Sequence, residues 1–316
     1  MALKEAFDPG LTQKFEGRIR RSINKDGSFN VRKVGGRLRD INPYLFLVSI
    51  SWPAFLGLVF IAFLATNLFF ATLYYLGGPN SLHVTEGRNP VSNFEAEFFF
   101  SAQTLTTLGY GAIYPDGVFA NSVAAIETMM GLLGFAVATG LLVGRVSQPS
   151  ARIKYSEKCL ITTYQDITSL QFRIANQRRN NLMDLRATVI LMLVDECSNG
   201  LRRDFFELPL ERSGIYFFPI TWTIVHPIDK DSPLFGKSDK DLERLQAEVL
   251  ILIKGFDETF AQEVVSRYSY TYDEIFWGSG FAQAFHVDST GHLILNVDRV
   301  GTLKDGTTRT SADVEL

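Results

Sequence analysis

No lysine, arginine, aspartate or glutamate occurs between Asp40 and Glu86, and inside that gap Leu45 to Leu76 reads LFLVSISWPAFLGLVFIAFLATNLFFATLYYL. The hydrocarbon core of a bilayer asks for about 20 apolar helical residues. This run exceeds that and predicts a membrane-spanning helix over about residues 50–76. A signal peptide would start near residue 1 and end in a small-residue cleavage site, whereas this run follows a polar stretch. Trp52 and the Tyr74–Tyr75 pair stand at its ends, as interfacial aromatics do. Pro53 suits a first helical turn, with the preceding stretch as a separate helix along the membrane surface. A second run, Val118 to Val143, is apolar except for Glu127 and predicts another span over about 118–146.

Composition narrows the function classes. Hydrophobic residues make up 46% of the 316 and charged ones only 21%, below the roughly 25% of soluble domains. A net charge of −3 argues against a general nucleic-acid binder, which needs a basic face. Cys159 and Cys197 cannot form a disulfide framework and lack zinc spacing. His83, His226, His286 and His292 are scattered, and no HExxH, GxSxG or Walker pattern occurs. No residue stands out as catalytic, and no cofactor is expected.

Basic residues set the orientation. Arg18, Arg20, Arg21, Lys25, Arg32, Lys33, Arg37 and Arg39 precede the first span, Arg145, Arg152 and Lys154 follow the second, and only Arg88 lies between. The positive-inside rule then places both termini in the cytoplasm. Arg37, Arg39, Arg145, Arg152 and Lys154 are also candidates for contact with anionic lipid head groups.

Between the spans, Phe94 to Leu105 (FEAEFFFSAQTL) has helical spacing but only about twelve residues, half a bilayer. Ser92 or Asn93 is the candidate N-cap. A half-length helix there is a re-entrant candidate, and non-helical backbone at that depth is tolerated only where it is buried in protein or lines a water-filled path. Directly after it comes Thr106-Thr107-Leu108-Gly109-Tyr110-Gly111. Glycine at alternate positions permits alternating backbone conformations, which turn successive carbonyls the same way. Four such loops around an axis form carbonyl rings that replace the hydration shell of potassium, a known filter pattern. Potassium is expected on the carbonyls of Thr107, Leu108, Gly109 and Tyr110. One chain carries one loop, so the chemistry calls for a homotetramer. No arginine-repeat helix precedes the pore, so a voltage sensor of that kind is absent.

With these residues in view, the sequence resembles the inward-rectifier potassium channels, and within them the prokaryotic members, the KirBac family. The filter alone indicates a potassium channel. The finer likeness lies in SWPAF (51–55), GRVSQP (144–149), LQFRIANQR (170–178), TWTIVHPIDKDSPLFG (221–236) and YDEIFWG (272–278). The resemblance implies a membrane α plus all-β fold: an N-terminal cytoplasmic segment over 1–35, an amphipathic slide helix over 36–48, a two-span pore domain with a re-entrant pore helix over 49–149, and a cytoplasmic immunoglobulin-like β-sandwich over 150–316. The residues of the tail agree. Cys159–Tyr164, Leu170–Asn176, Leu185–Asp195, Tyr216–Val225, Ala247–Lys254, Glu263–Tyr272 and His292–Val297 read as short strands between turn signals. Ser238 with Asp241 marks a short helix with a capping-box start.

Carried over position by position, the resemblance implies a gate. Phe135, Thr139 and Val143 fall four apart and share the helix face that the family turns to the pore. Phe135 sits where strongly rectifying members carry an acid, which implies weak rectification. Val143 takes the bundle-crossing position. Glu258 to Val264 matches the apical loop that narrows the cytoplasmic path, with Phe260 and Ala261 as lining residues. Gly131 and Gly140 are hinge candidates, although small residues in membrane helices also serve close packing. Glu127 is either a functional acid or a structural partner of the half-helix. Gln103 stands where many eukaryotic members carry a glutamate that pairs with an arginine beyond the filter, and Ala112 and Ile113 offer no such arginine. Resemblance to prokaryotic members implies inhibition by phosphoinositides or other anionic lipids. The expected function is passive potassium conduction through a multi-pass inner-membrane channel. The alternatives are a non-selective or poorly conducting cation channel, and a membrane-anchored sensor with a vestigial pore.

Overall fold

The computed structural model describes residues 7–11, 14–15, 21–32, 34–35, 42–85, 93–147, 151–178, 180–197, 200–278, 280–304 and 308–309. Arg37, Arg39 and Ser92 lie outside them. The chain divides into a helical unit, residues 34–148, and a β unit formed by residues 1–33 and 149–316.

Strand β1 (Lys14–Phe15) belongs to the β unit and precedes the helical one. The helical unit begins with α1 (Pro43–Ser49), capped by the Asn42 side chain, which accepts from the amides of Tyr44 at 3.0 Å and Leu45 at 3.4 Å. Helix α2 (Trp52–Leu76) starts afresh because Pro53 has no N–H to continue the ladder, and Ile50 and Ser51 between the two are extended. Strand β2 (Leu82–Val84), helix α3 (Asn93–Leu105), strand β3 (Ile113–Pro115) and helix α4 (Gly117–Val146) follow. With 25 and 30 residues, α2 and α4 run about 37 and 45 Å at the helical rise. Both are long and apolar enough to cross a membrane. The 13 residues of α3 reach only about 20 Å. Strands β2 and β3 pair antiparallel, which ties the exit of α2 to the entry of α4. Phe70, Tyr74, Phe100, Ala120 and Val123 form the core of this unit. Tyr74 is fully buried, edge-on to Phe100, while Tyr75 is exposed. Tyr75 alone of that pair can therefore serve as an interfacial anchor.

The β unit continues with β4 (Ile153–Tyr155), β5 (Cys159–Tyr164), β6 (Ile167–Asn176), β7 (Leu182–Cys197), β8 (Gly200–Glu207), β9 (Gly214–Phe217) and β10 (Thr221–Pro227). Helix α5 (Asp239–Arg244) separates these from β11 (Glu248–Asp257), β12 (Gln262–Thr271), β13 (Ile275–Gly278), β14 (Phe285–Val287), β15 (Leu293–Leu295) and β16 (Thr308–Arg309). One sheet runs β1-β8-β7-β11-β12, with β9 also on β7. The other runs β10-β6-β5-β13-β16, with β4 also on β6. Pairing is antiparallel except between β13 and β5. Alternate residues point inward: Leu185, Ala187, Val189 and Leu191 from β7 meet Leu170, Phe172 and Ile174 from β6 in one continuous core.

Several features depart from the sequence reading: β4, β13, β14 and β16 were not expected, and of the helix expected over 36–48 the described part is α1, with 36–41 outside the described residues. The single strand expected over Tyr216–Val225 is two, β9 and β10, in different sheets; Pro219 lies at the break and lacks the N–H a ladder needs. The longer strand β8 was not expected either, because Arg202, Arg203 and Asp204 break its apolar pattern. The run expected over His292–Val297 contracts to β15, which among the described residues pairs only with β14. The N-terminal segment also folds onto the first sheet. Ile23 joins Met192, Val194, Phe205 and Leu250 on that sheet's outer face. The buried Glu248 carboxylate accepts from the amide of Ser22 at 2.9 Å. Arg21 pairs with Glu274, and Lys25 reaches the same carboxylate at 2.5 Å.

Candidate functional site

Helix α3 ends in a way that launches the loop after it. The Thr107 amide donates to the Thr104 carbonyl at 3.0 Å and the Leu108 amide to the Gln103 carbonyl at 2.8 Å. This is a Schellman cap, and its left-handed residue is Thr107, with φ 58°. A β-branched residue there is a backbone outlier. Its neighbour Thr106 donates its hydroxyl to the Ala102 carbonyl at 2.6 Å. Left-handed backbone then recurs at every second residue, with φ 51° at Gly109 and 76° at Gly111. Thr107, Gly109 and Gly111 thus alternate with Leu108 and Tyr110, the pattern that turns successive carbonyls to one side. A Cβ built on Gly109 or Gly111 meets nothing within 4 Å in this chain. Their glycines answer a conformational requirement, not a steric one. All six residues from Thr106 to Gly111 are exposed on the single chain.

Behind this loop, Glu127 of α4 is fully buried. Tyr74 of α2 donates its hydroxyl to one carboxylate oxygen at 2.7 Å, and Ser101 of α3 donates to the other at 2.5 Å. Ser101 also lies 3.1 Å from Oδ1 of the buried Asn67. One carboxylate therefore joins both long helices and the half-helix, the arrangement expected of a structural partner of α3. Neither Tyr74 nor Ser101 was foreseen in that role, since each is unremarkable in an apolar run. Gly131, one turn further along α4, faces the other end of α3. A Cβ there would overlap the Leu105 carbonyl oxygen, so close packing accounts for this glycine. Gly140 has open space around it.

Below that level α4 presents Phe135, Thr139 and Val143 along one face, all exposed on the single chain. Gly144 and Arg145 meet α1. A Cβ on Gly144 would come within 2.6 Å of the Tyr44 hydroxyl. The Arg145 guanidinium donates to the carbonyls of Leu47 at 2.5 Å, Val48 at 3.1 Å and Ile50 at 2.6 Å, and it lies over the rings of Trp52 and Phe55. Those carbonyls are the unpaired end of α1. Arg145, also a candidate for lipid head groups, thus caps this helix end with three donations from its two terminal nitrogens. Trp52 and Phe55, the aromatics of SWPAF, form its platform. Arg152 is exposed and Lys154 half-buried, both in the β unit.

In the β unit, the β11–β12 connection carries Phe260 and Ala261. The Asp257 carboxylate shapes this turn by accepting from the Thr259 amide at 2.9 Å, and Ala261 is left-handed with φ 50°. Ala261 is exposed and Phe260 half-buried. Among the described residues no group of His, Cys, Asp or Glu is arranged to hold a metal ion.

A half-helix capped into an alternating carbonyl loop between two spans, joined in sequence to a β-sandwich, defines a two-span potassium-channel subunit. The comparisons place it further. Residues 153–313 match the family model of the inward rectifier potassium channel C-terminal domain, and residues 54–148 match an ion channel model. The chain is 36% identical to the inward rectifier potassium channel Kirbac3.1 of Paramagnetospirillum magnetotacticum, over 88% of this chain and 94% of that one. It is 26% identical to the mouse G protein-activated inward rectifier potassium channel 3, over 90% of this chain and 78% of that one. Among solved structures, a sporulation control protein from Bacillus subtilis covers 42% of this chain and 51% of its own at a TM-score of 0.25 and 9% identity, too low to carry an argument. The chain belongs to the inward rectifier potassium channels and is a membrane protein.

Proposed function

We propose that four copies of this chain assemble around the Thr106–Gly111 loops into an inner-membrane pore that conducts potassium passively, with both termini and the β-sandwich in the cytoplasm. The observation that carries this reading is the left-handed backbone at Thr107, Gly109 and Gly111. In a ring of four, the carbonyls of Thr107, Leu108, Gly109 and Tyr110 replace the water around a potassium ion, which is the transported substrate. The C-terminal end of each α3 adds a partial negative charge that favours a cation. Phe135, Thr139 and Val143 line the path below and close it by dewetting at Val143, while Phe260 and Ala261 narrow the exit. Gly140, free of close contacts, is the hinge position. With no acid at Phe135, rectification is weak. Arg152 and Lys154, with Arg37 and Arg39, are the cations that anionic lipids, phosphoinositides among them, engage to inhibit the channel.

Reconstituted liposomes test this. Barium-sensitive potassium flux with little sodium flux is expected. Equal flux of the two ions would leave a pore but reject the filter reading. No flux from either the wild type or Val143→Ala, in the absence of phosphoinositide, would reject conduction altogether.

A further inference from the structure

The second sheet of the sandwich carries a cavity of about 560 Å³ on β5, β6 and β10, bordered by the segment that follows β13. Register explains its floor. Arg173 of β6 lies opposite Thr223 of β10, and Gln171 opposite Val225, and all four line the space. Gly280, Phe281 and Lys304 border it from the C-terminal segment, whose two arms are joined by the bond from the Lys304 amide to the Gly280 carbonyl at 2.9 Å.

The charges in it are unbalanced. Arg173, Arg212 and Lys304 line the cavity against a single carboxylate, Glu211. None of the three cations forms an ion pair among the described residues. Arg173 is the telling member. It is half-buried, its Nε donates to the Thr223 hydroxyl at 3.2 Å and its Nη1 to the Ala282 carbonyl at 2.6 Å. Its guanidinium lies 4.8 Å from the centre of the Phe281 ring. Those contacts fix the fork in place and leave Nη2 without a protein partner among the described residues. Burial with no carboxylate beside it pushes its pKa down, so the fold maintains an uncompensated charge that a bound anion would neutralise. Hydroxyls from Thr162 and Thr221 add donors nearby.

We propose that this cavity binds a small anion of the phosphate class, gripped by the Arg173 fork and neutralised by Arg212 and Lys304. A guanidinium fork, two further cations and several hydroxyls offer more donors than one carboxylate can accept, and they match the several oxygens of a phosphate. Bound there, the anion would clamp the segment bearing Phe281 and Lys304 onto β6 and β10.

Calorimetry on the full-length protein in detergent tests this, with inorganic pyrophosphate as the probe. Saturable binding of one pyrophosphate per chain is expected. Arg212→Gln and Lys304→Gln alter exposed side chains and should each weaken it about threefold or more, while Glu211→Gln should tighten it about threefold. Arg173→Lys, which keeps the charge but loses the fork, should weaken it further. Inorganic phosphate and glycerol 3-phosphate distinguish the sources. Tighter binding of the second supports the site and assigns it to an organic phosphate, and the reverse order supports it for a free anion. No saturable heat, or an affinity that none of Arg212→Gln, Lys304→Gln and Glu211→Gln changes, would overturn the proposal.

Discussion

The two units bury their residues in opposite ways. In the sandwich, inward side chains of both sheets close one continuous core within a single chain. In the helical unit, α4 buries only Ala120, Val123 and Glu127 along its 30 residues, and nothing beyond Glu127 is buried. Helix α2 buries Phe55 near its start and otherwise only Asn67, Phe70, Ala71 and Tyr74 near its end. Met129, Leu132, Leu133, Phe135, Val137 and Val143 stay exposed. A water-soluble protein does not leave such an apolar surface uncovered. The sandwich thus carries its own stabilising contacts, while the lower half of α4 depends on what surrounds it, lipid and, in the proposed tetramer, neighbouring copies. The filter end of the helical unit is held by its own chain through Glu127, Tyr74 and Ser101. The far end of α4 is held by Gly144 and Arg145 against α1, which leaves the stretch from Leu132 to Val143 to its surroundings.

The largest effect should come where that support is tightest. Gly131→Val would drive side-chain atoms into the Leu105 carbonyl at the residue where α3 turns into the filter. Potassium flux and the assembled oligomer should both be lost, while the sandwich stays folded. Cys159, fully buried, with a thiol that burial pushes well above the ordinary range, reports on that: in a Cys197→Ser background maleimide should leave it unmodified. Flux retained by Gly131→Val would show that α3 does not rest on α4. The mirror experiment is Phe172→Ala, which opens a cavity in the sandwich core at a cost of about 3–5 kcal/mol. Here Cys159 should become reactive at lower denaturant, and the shift should not depend on protein concentration. A concentration-dependent shift would mean that the sandwich, too, relies on neighbours.

Glu127→Gln probes the polar clamp itself. The amide keeps one acceptor and turns the other position into a donor, facing either Tyr74 or Ser101. Facing Ser101, that donor is accepted only once the Ser101 hydroxyl turns to Asn67 Oδ1, 3.1 Å away, so the clamp loses one hydrogen bond between α3 and α4 in its original sense, worth about 0.5–1.5 kcal/mol. The oligomer should therefore dissociate at a lower temperature while Cys159 protection is unchanged. An unaltered dissociation temperature would remove Glu127 from the account of filter support.

How far these supports could be read from residues alone depended on periodicity. The charge gap, the half-length helix and the alternating glycines mark spans, re-entry and filter, because each requirement leaves a local trace. The partners of Glu127 leave none: a span that is apolar all round has no polar face to say which way Tyr74 or Ser101 points. Arg145 looked like one more basic flank, since its acceptors are backbone carbonyls of α1, invisible in side-chain chemistry. In the sandwich, alternation locates β5, β6, β7, β11 and β12, but β8 carries charges through its middle, and Pro219 splits one apparent strand into two sheets. The docking of Ser22 and Ile23 on Glu248 was silent for the same reason as Arg145, being made by main-chain amides.

The smallest expected effect is also the most local. Helix α5 starts with Ser238, whose hydroxyl accepts from the Asp241 amide at 3.3 Å, while Asp241 accepts from the Ser238 amide at 3.0 Å. The Ser238 amide, and after it the Ser238 hydroxyl, which donates to the same carboxylate at 2.7 Å, hold the Asp241 carboxyl below its ordinary value. A carboxyl depressed in the folded state contributes stability that is complete above the unfolded value, about 4, and disappears as pH falls through the folded one. Between pH 7 and about 5 the cap should therefore be unaffected, and below about pH 4 the start of α5 should fray. The readout is exchange of the Leu242 amide, which donates to the Ser238 carbonyl at 3.1 Å. Asp241→Asn should flatten that acid dependence without exposing Leu242, which belongs to the sandwich core. An acid limb that persists in Asp241→Asn would assign the fraying to other carboxylates. Because the cap lies within one chain, the same profile is expected in lipid and in detergent, unlike any property of the lower half of α4.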